Sequence, residues 1–228
     1  MKLPKLTPRL QKIYDILTPC ETVCDIGTDH AYIPVCLCLN NKCKKAIASD
    51  IKKGPVERAK KTVSLYGAQT QVEVRLGGGL ETVSVCEADA IIIAGMGGLL
   101  IAQILEESEN IAKSAKELIL QPMTAIAELR EFLNKNGYTI NEEHIVREEE
   151  KLYTIMKVSV GKDIPYTEAE LYLGKAVIKN EHYEAYKISR LNKIDKQIAG
   201  LERSQNTQHR SRLNNLLSLK EMIENENQ

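Results

Sequence analysis

Tyr138-Thr139-Ile140-Asn141-Glu142-Glu143-His144-Ile145-Val146-Arg147 and Leu152-Tyr153-Thr154-Ile155-Met156-Lys157-Val158-Ser159-Val160 are two strand-like runs parted only by Glu148-Glu149-Glu150-Lys151. The gap is too short for a crossover helix, so the runs are expected to pair antiparallel as a hairpin. What precedes them follows another rule. Thr22–Ile26, Ala46–Asp50, Val72–Leu76, Ala90–Ala94 and Leu118–Gln121 are short and β-branched. Several are too uniformly apolar to face water on one side, the mark of a parallel sheet covered on both faces. Helical patterns fill the intervals, at Tyr32–Leu39, Pro55–Tyr66, Leu99–Glu107 and Ala125–Asn136. Gly54-Pro55 suits a helix start and Asn136-Gly137 a helix end. Five parallel strands followed by a hairpin predict a seven-stranded, mostly parallel α/β sheet, where a dinucleotide dehydrogenase would continue the alternation.

From Tyr166 the pattern is helical. Thr167 and Glu170 have the spacing of a capping box, and Leu171–Asn180 leads into longer segments. Leu191, Ile194, Ile198 and Leu201 form one apolar stripe, and Leu213, Leu216, Leu217 and Ile223 a second, with a polar break at Ser204–Thr207. Two antiparallel helices are expected. The boundary falls at Gly161-Lys162-Asp163, giving a domain of residues 1–163 and a helical coiled-coil domain of residues 164–228.

The 228 residues, 43% hydrophobic and 27% charged, suffice for a core domain of about 150 residues plus a smaller appendage. Lys+Arg and Asp+Glu both total 31, which excludes a uniformly basic coat for nonspecific nucleic-acid binding. A local basic face remains open. The first 61 residues hold 12 Lys/Arg (Lys2, Lys5, Arg9, Lys12, Lys42, Lys44, Lys45, Lys52, Lys53, Arg58, Lys60 and Lys61) against 6 Asp/Glu. Lys187, Arg190, Lys193, Arg203, Arg210 and Arg212 supply further phosphate-contact candidates in the helical part, or solvated helix faces. Six cysteines at 20, 24, 36, 38, 43 and 86 form no C-x-x-C pair and read as small core hydrophobes rather than metal ligands. Met1–Lys12 lacks the apolar run of a leader, and no stretch approaches the roughly 18 apolar residues of a membrane span, so a cytoplasmic location is expected.

The strand ends carry the chemistry. Asp25-Ile26-Gly27-Thr28-Asp29-His30-Ala31 closes the first strand with an acid and a turn glycine, the position at which doubly wound folds hold a cofactor. A dinucleotide turn needs G-x-G-x-x-G, yet Asp29 and Tyr32 fill the second and third glycine positions. An anion there repels a pyrophosphate and attracts a sulfonium or ammonium, which favours S-adenosylmethionine over NAD. Asp29 and His30 also suit a cap on the following helix. Asp50, 25 residues after Asp25, is placed to accept from both hydroxyls of a ribose, with Ile51 packing on the adenine. Gly77-Gly78-Gly79 and Gly95-Met96-Gly97-Gly98 end the third and fourth strands and leave room for a flat ligand and a substrate base. No lysine follows them in a Walker arrangement. Leu120-Gln121-Pro122 ends the fifth strand on the same edge.

With these strings in hand, the chain resembles the TrmK family of bacterial tRNA (adenine22-N1)-methyltransferases. The resemblance rests on Asp25-Ile26-Gly27-Thr28-Asp29-His30-Ala31-Tyr32, Ser49-Asp50-Ile51 with Gly54-Pro55, Ala94-Gly95-Met96-Gly97-Gly98 and Leu120-Gln121-Pro122. It implies a Rossmann-like class I methyltransferase fold with a C-terminal coiled-coil, S-adenosylmethionine as cofactor, tRNA as partner, and 1-methyladenosine at position 22 as product. One position departs: where the family has Asp or Asn after the third strand, near the adenine edge, this chain has Gly78. The adenine contact must then come from backbone or from another residue, or affinity is lower.

Adenine N1 carries a lone pair and no proton, so no base need strip it. Positive charge develops on the ring, and an anion accepting from N6 stabilises it. Asp29 is expected to be that acceptor, because it stands where a glycine is usual. His30 is expected to share the catalytic role and, with Tyr32, to stack on or orient the base, while Met96, Gly97 and Gly98 line its slot. Asp25, Gly27, Thr28, Asp50, Ile51, Gly78, Gly79, Gly95 and Met96 are expected to bind the cofactor. Two other classes remain: a nicotinamide-dependent oxidoreductase, and a noncatalytic RNA-binding protein with a decayed cofactor pocket.

Overall fold

The computed structural model describes residues 3–177, 181–203 and 210–225. The strands are β1 (Cys20–Ile26), β2 (Cys43–Asp50), β3 (Val72–Leu76), β4 (Ala90–Gly97), β5 (Glu117–Thr124), β6 (Tyr138–Glu148) and β7 (Lys151–Val160). They form one sheet in the order β3-β2-β1-β4-β5-β7-β6. The first five run parallel, and β7 lies antiparallel between β5 and β6. The expected hairpin is therefore present, turning at Glu149-Glu150 with Glu149 left-handed at φ 54°. The strand order reverses between β1 and β4, which opens a crevice at their carboxyl ends.

The helices are α1 (Pro8–Ile16), α2 (Tyr32–Leu39), α3 (Lys53–Leu65), α4 (Gly98–Glu107), α5 (Glu109–Ser114), α6 (Ile126–Lys135), α7 (Glu168–Leu173), α8 (Tyr183–Glu202) and α9 (Arg210–Asn225). Helices α1 to α3 cover one sheet face, burying Ile13, Leu37, Ala59 and Val63 against Val23, Ile92 and Ile119. Helices α4 and α6 cover the other, with Ile101, Leu105, Leu129 and Leu133 against Ile91, Ile93, Leu118 and Leu120. Covering both faces explains why β4 reads Ile91-Ile92-Ile93 without alternation. Cys24, Cys36, Cys38 and Cys43 are buried in these layers.

The Thr167–Glu170 capping box starts α7: Thr167 Oγ1 accepts from the Glu170 amide at 3.1 Å and the Glu170 carboxylate accepts from the Thr167 amide at 2.8 Å. The α7 carbonyls of Leu171, Tyr172 and Leu173 accept from Arg130, whose Nε sits 2.9 Å from the Glu143 carboxylate, both side chains fully buried. Ile194, Ile198 and Ile223 of α8 and α9 join Ile145 of the hairpin in a third apolar cluster. The expected break at Ser204–Thr207 lies outside the described residues, as does the end of the expected Leu171–Asn180 segment, whose helix stops at Leu173.

Candidate active site

Two cavities open at the carboxyl edge and share Gly27. The first, 380 Å³, is lined by Ile26, Gly27, Asp50, Ile51, Gly77 to Leu80, Glu81, Met96, Leu100, Gln103, Ile104, Glu107 and Ser108. It brings together six expected cofactor residues: Gly27, Asp50, Ile51, Gly78, Gly79 and Met96. The second, 370 Å³, is lined by Lys5, Thr7, Arg9, Leu10, Asp25, Gly27 to Ile33, Ala94 and Gly95. It gathers Asp25, Thr28, Asp29, His30, Tyr32 and Gly95.

Gly27 is the hinge between them. It adopts φ +74°, and the amides of Gly27 and Thr28 donate to the Ser49 carbonyl at 2.8 and 2.9 Å, tying the β1 turn to β2. A Cβ on Gly27 would collide with the terminal methyl of Met96, so the glycine lets a flexible thioether lie across the junction. In the first cavity, Asp50 Oδ1 accepts from the Lys52 amide at 2.7 Å, while Ile51 keeps 70% of its side chain exposed on the wall. That exposure of a large apolar side chain inside a cleft points to a flat apolar ligand. The lining carries Asp50, Glu81 and Glu107 and no cation, so it does not suit a pyrophosphate. The second cavity carries both signs: Arg9 and Lys5 face Asp25 and Asp29. A cis-diol nucleoside in one cavity and a zwitterionic amino acid in the other is the donor set that S-adenosylmethionine requires.

Asp25 is buried, and that burial pushes its carboxyl up to about 7, against the hydrogen bond from Thr28 and with the Asp50 charge adding to the rise. Asp29 lies on the surface beside α3, its Oδ1 accepting from Arg58 Nε at 3.0 Å and from Arg58 Nη2, with His30 Nε2 3.3 Å from Oδ2. The rings of His30 and Tyr32 stack with centroids 5.0 Å apart.

The geometry corrects parts of the sequence reading. Helix α2 receives no side-chain cap at its N-terminus; Thr28 Oγ1 instead accepts from the Ala31 amide at 3.0 Å. The left-handed residues of the turn are Gly27, at φ 74°, and Ala31, at φ 54°; Asp29 is not left-handed, so the acid displaces no obligatory glycine. Gly97 and Gly98 line neither cavity. A Cβ on Gly98 would strike the carbonyls of Ala125 and Thr124, and one on Gly97 would stand 3.2 Å from Thr124 Oγ1, so packing against the end of β5 accounts for both. Lys187 is 5% exposed and is unavailable to a phosphate, and the Arg190 guanidinium lies over Tyr172 at 3.9 Å.

The sequence placed Arg9 among the basic residues and Gln121 at the end of the fifth strand, but joined neither to the site. Arg9 Nη1 donates to Gln121 Oε1 at 2.6 Å, and the same buried oxygen accepts from the Gly95 amide at 3.1 Å. The guanidinium also stands 5.3 Å from the Tyr153 ring centre. Helix α1 thus delivers a cation to the glycine end of β4.

Residues 6–156 match the family described as a methyltransferase domain. The tRNA (adenine(22)-N(1))-methyltransferase of Bacillus subtilis is 40% identical over 174 residues, covering 76% of this chain and 73% of that protein. The crystal structure of the B. subtilis M1A22 tRNA methyltransferase TrmK superposes with a TM-score of 0.87 at 33% identity, over 97% of this chain and 98% of that one. M. capricolum TrmK, solved in complex with S-adenosyl-homocysteine, superposes with a TM-score of 0.82 at 26% identity, over 96% of each chain.

Proposed function

The chain belongs to the TrmK family of tRNA (adenine22-N1)-methyltransferases, and from that premise we infer that it methylates N1 of adenine 22 in tRNA. The observation that carries the reading is the pair of cavities joined at Gly27, one acidic and cation-free, the other bearing both charges. S-adenosylmethionine, when bound, supplies a methyl group on a sulfonium.

Asp50 would hold the ribose, Ile51 and the Gly77–Gly79 loop the adenine, and Asp25, Thr28, Gly95 and Arg9 the amino-acid end. Asp29 would accept from N6 of the target adenine and offset the charge that develops on its ring. The stacked His30–Tyr32 pair offers the base an aromatic platform, and Met96 walls the junction. Alignment of N1 with the methyl supplies the rest of the acceleration. An adenine in a folded tRNA is stacked or paired, so it must be drawn out to reach this edge.

The division at Asp163 is part of the reading: residues 1–163 carry the chemistry and residues 164–228 help capture RNA, in the cytoplasm where tRNA resides. Support comes from the family match ending at residue 156 and from exposed Arg203, Arg210 and Arg212 beyond it. No described helix is long and apolar enough to cross a membrane.

Calorimetric titration tests the cofactor. One S-adenosylhomocysteine per chain and no response to NAD is the expected result. Stabilisation by NAD alone would make the chain an oxidoreductase, and tRNA binding without S-adenosylhomocysteine binding would make it a noncatalytic adaptor.

A further inference from the structure

The first cavity contains a carboxylate to which nothing so far assigns a task. Glu81 follows the Gly77–Gly79 loop and lines the cleft with Asp50 and Ile51. Its Oε2 accepts from the Gly78 amide at 3.3 Å, and the Glu81 amide in turn donates to the Gly78 carbonyl at 3.1 Å. The side chain is thereby folded back over the loop while remaining exposed, and its second oxygen has no protein partner among the hydrogen bonds of the described residues. A Cβ built on Gly78 would stand 3.6 Å from Glu81 Oε2 and 3.2 Å from Ile51 Cδ1. The bare glycine, the exposed isoleucine and the carboxylate therefore border one space.

That space is apolar on the Ile51 side and edged by an acceptor. A carboxylate has no proton to give, so it selects a ligand edge that donates. Of the polar atoms on a purine edge, adenine's exocyclic N6 is a donor and N1 an acceptor, while hypoxanthine presents an oxygen at the N6 position. Gln103 and Glu107 also line the cleft, but from α4, and neither touches the Gly78 loop in the contacts described.

We propose that Glu81 is the residue of this chain that recognises the cofactor's purine, its carboxylate accepting from N6 across the side-chain-free Gly78. The inference rests on the reading that this cavity holds S-adenosylmethionine. It gives the loop a side-chain contact from three residues downstream of the glycine, and makes Glu81 the determinant of adenine over hypoxanthine.

The test is calorimetric affinity for S-adenosylhomocysteine and for S-inosylhomocysteine, in the wild-type chain and in Glu81→Ala. Glu81 is exposed, so its truncation leaves the packed layers intact. The wild type is expected to prefer the adenine form by about tenfold or more, the worth of a charge-assisted hydrogen bond gained or opposed. Glu81→Ala should bring the ratio close to one, chiefly by weakening S-adenosylhomocysteine. Adding Gly78→Asp to Glu81→Ala should restore the preference, because Gly78 has no positive φ and only Ile51 must give by a few tenths of an ångström. A Glu81→Ala chain with wild-type affinities and an unchanged ratio overturns the assignment while leaving the cofactor reading in place. A wild-type chain that binds neither compound overturns both.

Discussion

Asp29→Asn separates charge from shape at the position assigned to the target base. The amide occupies the same volume, and the turn does not depend on the carboxylate, since Thr28 holds the Ala31 amide and Asp29 needs no left-handed backbone. The ion pair with Arg58 joins side chains 58% and 47% exposed, so its loss should cost no more than about 1 kcal/mol of stability. The catalytic effect is larger. A unit charge about 4 Å from developing charge is worth roughly 4 kcal/mol at an effective dielectric of 20, the upper limit for Asp29. The Arg58 guanidinium bound to the same carboxylate offsets part of that field. The expected loss is therefore about tenfold in rate, near 1.4 kcal/mol, and not the thousandfold that an unpaired anion would give. The assay is single-turnover methylation with enzyme in excess of unmodified tRNA and saturating S-adenosylmethionine, which isolates the chemical step. Arg58→Ala alone should hold or raise that rate, because it frees the carboxylate. A rate for Asp29→Asn within twofold of wild type would refute the assignment and leave transfer to alignment and the His30–Tyr32 platform.

Asp50→Ala should weaken S-adenosylhomocysteine by tenfold or more in calorimetry, from loss of a charge-assisted ribose contact of about 1.5–3 kcal/mol; unchanged affinity would remove Asp50 from the site. Burial raises the Asp25 carboxyl to about 7, so the folded chain retains a proton that the unfolded chain releases above the ordinary value of 3.8. Stability from this group falls as pH rises from about 4 to 7, and Asp25→Asn should flatten that slope in urea melts at stepped pH. The same linkage predicts tighter binding of the cationic cofactor between about pH 6 and 8, a trend the Asn variant should lack. Arg130→Met strands the buried Glu143 carboxylate and the α7 carbonyls and should cost about 3–5 kcal/mol in urea unfolding; adding Glu143→Leu should recover the part due to the carboxylate alone. Because Arg130 also holds the last carbonyls of α7, a chain ending at residue 177 is the fair test of the tail: it should bind S-adenosylhomocysteine normally and methylate poorly at limiting tRNA, whereas full activity there would remove α8 and α9 from substrate capture.

Apolar runs made the sheet legible. The strand Val72–Leu76 and the helix Tyr32–Leu39 have the bounds the pattern implied, and the hairpin follows from the short acidic gap between two β-branched runs. Edges were lost where polar residues continue a strand, as in Cys20-Glu21 and Cys43-Lys44-Lys45, since pairing with a neighbour leaves no mark on composition. Helix α1 went unread although Thr7-Pro8 opens it and Leu10, Ile13 and Leu17 recur on one face; its charged residues masked the stripe. The acids at the ends of β1 and β2 were visible because a strand end fixes its position by counting. The Arg9–Gln121 bond, which joins residues 112 apart, has no local signal. The same limit explains Asp29: spacing placed it in the turn, but only the fold reveals Arg58 beside it and the left-handed backbone at Gly27 and Ala31 instead.

The proposed reaction places one methyl group on one atom of one nucleotide. Unmodified tRNA incubated with the chain and S-adenosylmethionine carrying a labelled methyl group, then digested and mapped by mass spectrometry, reads that atom directly. Label is expected in 1-methyladenosine at position 22 and nowhere else. Label on an exocyclic amine, at another nucleotide, or absent from tRNA despite bound cofactor would contradict it.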